Sequence, residues 1–371
     1  MKAKRFYPVL LATILFLTVC AWGGPAGKFP KCTDPLSSVE VPSAPHGLYV
    51  ILFPGAALNP RADKYLAHNP VVCGGVFYIV WNKVDRGPGA NPRYDWSSVD
   101  DQLGPWISAG KQVNLIVFAT GAQFYSGGQK TETTPSFVFE KTRSVTCPAF
   151  GHVPVFWDAG YKSSYREFMA AVVAKYGSNP AVGYIRFGLG AGGEVFPACF
   201  HKLAEYGYSK AVWRKYLFDM LDIEKGLNSP KLITVGLNPM DPPDLEFAAS
   251  IAQHAVEDGI AIGNQGLSAN DVRNYNAGRP CNAGWCDLFK KYRGKVPLVL
   301  QTWQYNLLSQ EDIGPTISEA LPLAVSLHAQ IIEIAVKYWA AAYEPADRDY
   351  PAHHQEYQKA LEDAAKVLGG S

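Results

Sequence analysis

The sequence carries almost no net charge. Across its 371 residues, 34 Lys and Arg residues face 33 Asp and Glu residues, which leaves a formal charge of +1. Nucleic acids and anionic membrane surfaces attract basic proteins, so this balance supports neither as a partner.

The signatures of several enzyme classes are also missing. The sequence contains no Gly-x-Ser-x-Gly nucleophile elbow, no His-Glu-x-x-His zinc motif and no Walker phosphate loop. Its histidines are scattered, apart from the adjacent His353 and His354. These absences argue against the matching hydrolase, zinc-protease and nucleotide-hydrolysing classes, and we expect neither a metal nor a cofactor.

Apolar runs of membrane-spanning length are absent too. The longest run, residues 7–22, follows Lys2, Lys4 and Arg5 and precedes a stretch of small residues, 23–27. This order predicts a signal peptide over residues 1–27, with an uncleaved membrane anchor as the alternative. Residues 28–371 would then form the mature protein, secreted or periplasmic and free of the membrane after cleavage.

Cysteine is scarce, and no CxxC pair occurs. Removing the predicted signal peptide leaves six cysteines, and an even number in an exported chain favours disulfides over metal binding. Cys281 and Cys286 lie close enough in sequence to close a local loop, whereas the partners of the other four stay open. These are Cys32, Cys73, Cys147 and Cys199. No Asn-x-Ser/Thr glycosylation site occurs, so bacterial export is the simplest interpretation.

What the sequence does have is eight short apolar runs that alternate with amphipathic segments. Continuous apolar runs are typical of parallel strands that are covered on both faces. The runs are 46–53, 71–81, 111–119, 182–187, 231–238, 260–264, 296–301 and 330–336. Eight alternating strands and helices predict an α/β fold, a single-domain (β/α)8 TIM barrel with long βα loops; an open doubly wound sheet is the alternative.

Helical spacing of apolar residues predicts the intervening helices. They are expected at 95–107, 164–176, 210–225, 244–257, 285–293, 313–327 and 354–368. Ser164 and Glu167 form a capping box that predicts the start of the second of these helices. Residues 120–160, rich in Gly, Thr, Ser and Pro but also in aromatics, are expected to form a long functional loop.

The strand at 182–187 runs into a glycine-dense turn that ends in Glu194. A carboxylate in this position after a barrel strand is typical of a general acid; the alternative is a solvated Glu at the tip of a turn. Gly188, Gly190 and Gly193 also match the dinucleotide-binding fingerprint. We reject that interpretation because Pro197 follows too early for the required helix.

Polar and aromatic residues near other strand ends are candidates for contacts with carbohydrate. Amides hydrogen-bond to hydroxyl groups and aromatic faces stack on sugar rings, although the same residues also cap turns and pack at rims. The candidates are Trp81, Asn82, Asn238, Asn264, Gln265, Gln301, Trp303, Tyr305 and Trp339.

Three stretches resemble clan A glycoside hydrolases, and the beta-galactosidase-like members most closely. They are residues 93–117, residues 157–180 and the strand that leads to Glu194. The resemblance covers most of residues 46–340 as a pattern, and it implies a barrel glycosidase in which the Glu after the fourth strand is the acid/base. In that clan a second Glu, at the end of the seventh strand, is the nucleophile. This sequence has Gln301 there, and an amide cannot form the glycosyl ester.

Glycosidic cleavage uses two carboxyl groups, so a partner for Glu194 is needed. Glu333 is the best candidate, because a charged residue inside an apolar strand is costly unless it is paired or functional. The alternative is a structural Glu bonded to Lys or Arg. Asp158 and Asp241 are weaker alternatives, because each lies in a Pro- or Gly-rich loop where a solvated turn Asp is the better explanation.

Two functional hypotheses follow from the sequence. The first is an exported glycoside hydrolase that cleaves a β-linked glycan, with Glu194 and Glu333 as the catalytic carboxylates. The second is a non-catalytic barrel that binds carbohydrate, which the presence of Gln301 favours.

Overall fold

The computed structural model describes eleven segments of the chain and shows a closed barrel of eight parallel strands. The described residues are 45–53, 59–121, 124–126, 129–148, 150–237, 244–267, 269–279, 281, 284–302, 317–344 and 353–369. The barrel strands are β1 (Gly47–Ile51), β2 (Gly74–Val80), β3 (Gln112–Phe118), β8 (Val182–Phe187), β9 (Leu232–Leu237), β10 (Ala261–Leu267), β11 (Leu298–Thr302) and β12 (Ile331–Ala335). The predicted TIM barrel is thereby confirmed.

Strand order follows chain order around the barrel, and β12 pairs with β1 to close it. One face of each strand points into the barrel, where Tyr49, Ile116 and Tyr184 form part of a buried cluster. The opposite face packs against the helices in a second, larger core. Burial on both faces explains why the strands read as continuous apolar runs.

The helices surround the barrel. Their bounds are α1 (Asn59–Tyr65), α2 (Trp81–Val84), α3 (Ser97–Ser108), α4 (Ser136–Phe139), α5 (Ala159–Tyr176), α6 (Phe200–Leu203), α7 (Lys210–Gly226), α8 (Leu245–Glu257), α9 (Ala269–Asn276), α10 (Trp285–Tyr292), α11 (Ile317–Ser326), α12 (Val336–Tyr343) and α13 (His354–Leu368). A 3-10 helix covers Ala204–Tyr206. Within the described segments, none of the helices combines the length and the apolar character that crossing a membrane requires.

The predicted start of α5 is wrong. The helix begins at Ala159, and Ser164 is buried within it instead of capping it. The first turn contains Tyr161, which is fully buried and lies against the ring of Trp81 with a centroid distance of 6.1 Å. Packing of this aromatic side chain extends the helix beyond the local capping signal.

Residues 119–158 are more regular than expected. Two antiparallel hairpins form there, β4 (Phe124–Ser126) with β5 (Gln129–Thr131) and β6 (Ser144–Cys147) with β7 (Gly151–Pro154). Because the segment follows β3, it lies at the C-terminal face of the barrel, where active sites of this fold are built.

Two disulfides have both partners among the described residues. Cys281 is bonded to Cys286, which confirms the predicted loop closure. Cys147 is bonded to Cys199 and so joins β6 to the segment after β8. Cys73 is disulfide-bonded as well. Residues 1–27 lie outside the described segments, so the signal peptide stays a prediction.

Candidate active site

The turn after β8 carries Glu194 at the C-terminal face of the barrel. Glycines are required here by close approach: a Cβ on Gly188 would lie 2.7 Å from the Val117 carbonyl oxygen. Gly193 has a φ of +77°, a conformation that favours glycine. The backbone of the turn closes on itself, since the Gly190 N–H donates to the Glu194 carbonyl oxygen at 2.6 Å.

Side chains from helices α5 and α7 donate hydrogen bonds to backbone carbonyl groups of the same turn. The Tyr165 hydroxyl donates to the Gly188 carbonyl oxygen at 2.9 Å, and the Tyr216 hydroxyl donates to Leu189 at 2.7 Å. The Trp213 indole N–H donates to the Val195 carbonyl oxygen at 3.0 Å. All three rings are buried. The turn is therefore fixed by packed aromatic side chains as well as by its own hydrogen bonds.

Glu194 is partly exposed as a residue, whereas its carboxyl group is enclosed and has a strongly shifted acidity. Burial raises its pKa to about 8, and the positive charge of Arg186 opposes that shift without cancelling it. Removing a carboxyl group from water disfavours its charged form, so the proton stays bound to a higher pH. Near neutral pH Glu194 is a protonated acid.

Arg186 lies at the centre of the site, inside the barrel and fully buried. Its Nε donates to Thr234 at 3.2 Å, Nη1 donates to Gln301 at 3.2 Å, and Nη2 donates to Tyr184 at 3.4 Å and to Glu333 at 2.8 Å. Burial alone would lower the pKa of Arg186, but the Glu333 carboxylate together with Tyr184 and Tyr78 outweighs it, and the net shift is upward. The guanidinium therefore stays charged.

Gln265 connects Arg186 to Glu194. Its amide orientation is assigned from its neighbours: Nε2 donates to Glu194 Oε1 at 2.6 Å, and the side-chain oxygen accepts from Arg186 Nη1 at 3.1 Å. The opposite orientation would place like groups against each other on both sides. A continuous hydrogen-bonded chain thus runs from Glu333 through Arg186 and Gln265 to Glu194.

Glu333 lies in the middle of β12, in register with Gln301 on β11 and Tyr49 on β1. None of its surface is exposed. Oε1 accepts from both Arg186 and the Tyr184 hydroxyl, whereas Oε2 accepts no hydrogen bond from the described residues. The alternative predicted from the sequence, a structural Glu bonded to Lys or Arg, matches these contacts. Its catalytic role stays a prediction that the burial does not favour.

Other predicted residues are spread over the barrel. Asn264 is buried, and its amide binds backbone, donating to Leu237 at 3.0 Å and accepting from Gly266 at 2.7 Å. The Asn82 amide donates to the Glu132 carbonyl oxygen and so anchors the segment after β3. Asp158 forms an ion pair with Arg143. Asn238, Asp241, Trp303 and Tyr305 lie outside the described residues.

Trp81 and Trp339 were predicted to contact carbohydrate, but both are fully buried. Trp81 begins α2 and not the rim of β2, and its ring stacks on Phe168 of α5 with centroids 5.4 Å apart. Trp339 lies on α12, which starts immediately after β12, and packs near Tyr343. In both cases an unforeseen helix turns the ring into the core, so neither offers a free ring face.

An aromatic row that was not predicted lies at the mouth of the barrel. Phe53 stacks on Tyr78 with ring centroids 5.1 Å apart, and Tyr78 meets Phe118 edge-on at the same distance. A Cβ on Gly193 would lie 3.4 Å from the Phe118 ring, so the row ends beside the turn of Glu194. Phe53 is the partly exposed member, whereas Tyr78 and Phe118 are buried.

Arg186 is the main site residue that sequence reasoning missed. A signal for Arg186 was present, because it is a charged residue within an apolar strand, the same observation that singled out Glu333. Gln265 was a candidate for contacts with hydroxyl groups at the end of its predicted strand, but its contact with Glu194 was not foreseen. That contact joins β10 to the turn after β8, and a whole strand and three α-helices separate the two in sequence.

No protein-family model matches the sequence, and neither does any curated protein sequence. Solved structures with the same barrel include the catalytic domain of a beta-amylase from Paenibacillus polymyxa, at 12% identity and a TM-score of 0.57, covering 78% of this chain and 91% of that one. A beta-galactosidase from the psychrophilic Marinomonas ef1 matches at 12% identity and a TM-score of 0.50 over 87% of this chain and 59% of that one.

A beta-galactosidase from the Antarctic haloarchaeon Halorubrum lacusprofundi matches at 12% identity and a TM-score of 0.51, covering 78% of this chain and 52% of that one. The chain therefore spans little more than half of the two galactosidases. At these identities the likeness establishes a shared barrel fold, which is consistent with the resemblance to clan A glycoside hydrolases seen in the sequence.

Proposed function

We propose that the protein is a glycoside hydrolase with Glu194 as its general acid. The observation that carries the proposal is the placement and state of this one residue: Glu194 is partly exposed at the C-terminal face of the barrel, on a turn held by packed side chains, and burial of its carboxyl group raises the pKa to about 8. An acid that keeps its proton near neutral pH is what protonation of a glycosidic oxygen requires.

The same surroundings suit the acid after it has given up its proton. As the glycosidic C–O bond breaks and water adds to the anomeric carbon, the proton passes from Glu194 to the leaving oxygen, the added water releases a proton to solvent, and a carboxylate remains on Glu194. The Gln265 N–H and, beyond it, the Arg186 charge stabilise that carboxylate. These groups are already in place, so no reorganisation accompanies the proton transfer.

We assign a supporting role to Glu333 and no reacting one. A base or nucleophile must reach the anomeric carbon or a water beside it, and no atom of Glu333 is exposed. Its contact with Arg186 instead balances the charge of a guanidinium that would otherwise be buried alone. Gln301 accepts a hydrogen bond from the same Arg186 guanidinium, so its position on β11 is explained without a role as nucleophile.

The substrate that we propose is a β-linked glycan or oligosaccharide. An aromatic row, whose partly exposed member is Phe53, ends beside the turn of Glu194, and aromatic side chains are suited to contact with sugar rings. The two disulfides support export to an oxidising compartment, where a glycan-degrading enzyme meets its substrate. Secretion or a periplasmic location follows from this proposal.

A second candidate function, a carbohydrate-binding barrel without catalysis, is favoured by one observation. Gln301 stands where the clan has a nucleophile, and the neighbouring Glu333 is enclosed. The two candidates differ in whether sugar is released or only bound.

The discriminating experiment is a screen of purified protein against α- and β-linked aryl glycosides and polysaccharides, scored for both reducing-sugar release and binding. We expect release by the wild type and a loss of about two to four orders of magnitude in Glu194→Gln. Binding without release by the wild type would support the second candidate. Equal release by both proteins would exclude Glu194 as the acid.

A further inference from the structure

The buried guanidinium decides how the Gln265 amide is oriented. Arginine only donates, through five N–H groups. Four of them have acceptors in Thr234, Gln301, Tyr184 and Glu333. The fifth, on Nη1, faces Gln265, so the amide oxygen must lie against it. With this contact each of the five side-chain N–H groups of Arg186 has a hydrogen-bond acceptor.

The orientation of the amide in turn constrains the carboxyl group of Glu194. Because the Gln265 oxygen faces Arg186, its NH2 faces Glu194 and donates to Oε1 at 2.6 Å. In a protonated carboxyl group the carbonyl oxygen is the better acceptor and the hydroxyl oxygen is the donor. The amide therefore selects Oε1 as the carbonyl oxygen and leaves the proton on Oε2.

We infer that Gln265 is a positioning residue that, held by Arg186, keeps Glu194 Oε1 as an acceptor and so directs the acidic proton to Oε2. That this proton then goes to a leaving group rests on the proposed glycosidase function. The orientation of the carboxyl group does not depend on any reaction and can be measured without substrate.

The backbone around Gln265 is built to bring the amide to this place. The pairing of β10 with β11 shifts register between Asn264 and Leu267, so Gln265 lies at an irregularity and not in a plain ladder. Gly263, two residues earlier, faces Arg186: a Cβ there would lie 3.6 Å from Nη2. The strand thus presents a small residue to Nη2 and then the amide to Nη1.

The test is Gln265→Leu, examined by infrared spectroscopy and by carbon-13 NMR titration of the Glu194 carboxyl group. The signals are identified as those that vanish in Glu194→Gln, which separates them from the protonated Glu224 buried on α7. We expect the C=O stretch of protonated Glu194 to move to higher wavenumber, because its oxygen loses a donor. We expect its pKa to rise by about one pH unit, since a donated hydrogen bond favours the ionised form over the neutral one.

Gln253→Leu is the matched control. Gln253 on α8 also donates to a Glu side chain, Glu257, at 2.9 Å, but at an exposed position on the outside of the barrel. This variant should leave both Glu194 signals unchanged. If Gln265→Leu does not fold, Gln265→Glu keeps the shape, pairs with Arg186 and presents no amide N–H to Glu194; it should raise the pKa further.

A folded Gln265 variant with an unchanged band and an unchanged pKa would overturn the inference. Failure of the proposed function looks different: Glu194→Gln would then hydrolyse substrate normally while the spectroscopic changes in Gln265→Leu remained. If both hold, Gln265→Leu should lower kcat by about tenfold or more and leave KM nearly unchanged, with the alkaline limb of its pH profile displaced upward.

Discussion

Replacing Glu333 by Gln tests the assignment of this residue as the counter-ion of Arg186. The ion pair is fully enclosed, with exposed fractions of 1% and 0% for the two side chains and 2.8 Å between Arg186 Nη2 and Glu333 Oε1. Removing one charge from such a pair leaves the other unpaired in a low-dielectric interior. Breaking a buried pair in this way costs about 3–5 kcal/mol of unfolding free energy.

The assay is equilibrium unfolding in urea at neutral pH. We expect Glu333→Gln to lie at the low end of that range, near ~3 kcal/mol, because the new amide oxygen can still accept from Arg186. Asp363→Asn is the control, since it removes the carboxylate of an exposed pair with Lys359 and should leave the unfolding free energy nearly unchanged. The double variant Arg186→Met with Glu333→Leu should recover much of the loss, because no charge then remains buried.

Two results would refute this reasoning. A loss below about 1 kcal/mol in Glu333→Gln would show that Arg186 does not depend on the carboxylate. A folded and stable Glu333→Gln whose turnover falls by about two to four orders of magnitude would show that Glu333 reacts, as the sequence first predicted.

Three further outcomes follow from the structure. Cys147 and Cys199 enclose a longer loop than Cys281 and Cys286, with sequence separations of 52 and 5. Loop entropy implies that loss of the first disulfide lowers the free energy of unfolding by about 4 kcal/mol and loss of the second by about 2 kcal/mol, which urea unfolding of the paired Ser variants measures. Non-reducing mass spectrometry should show both linked peptides. Burial holds the pKa of Glu224 well above its usual range, so the carboxyl group keeps a proton in the folded protein at pH values where the unfolded chain has lost it. The free energy of unfolding should therefore fall as pH rises above the unfolded pKa, and the stability of Glu224→Gln relative to the wild type should increase with pH. Parallel stability curves for the two proteins would argue against this. Tyr216→Phe removes the hydroxyl that donates to the Leu189 carbonyl oxygen. We expect the free energy of unfolding to fall by about 1 kcal/mol and turnover to fall with it. If neither changes, the turn does not need this hydrogen bond.

The fold was predictable because burial on both faces leaves a direct trace in the sequence. Every barrel strand coincides with a predicted apolar run to within a few residues; β9, for example, covers Leu232–Leu237 against a predicted 231–238. The position of Glu194 at the C-terminal face of the barrel was predictable for a local reason as well, since a strand, a glycine turn and a carboxylate stand in direct succession. In both cases the information lies within about a dozen neighbouring residues.

The rest of the site depends on contacts between distant segments. Asn264 and Gln265 are adjacent and chemically alike, yet one binds backbone and the other binds Glu194. Which of them faces the barrel is decided by strand register and by the irregularity in β10, and neither is visible in one strand alone. Trp81 and Trp339 failed as surface candidates for a related reason: short helices, α2 and α12, follow their strands directly and bury both rings.

The most direct test of Glu194 as the general acid is to compare leaving groups in Glu194→Gln. Protonation matters for a sugar leaving group and hardly at all for dinitrophenolate, which departs as a stable anion. We expect kcat/KM of the variant to fall by about two to four orders of magnitude on an oligosaccharide and by less than about tenfold on the dinitrophenyl glycoside of the same sugar. The wild type should also lose activity on the oligosaccharide as pH rises through about 8, a limb that the variant lacks. Equal losses on both substrates, or no loss on either, would contradict the assignment.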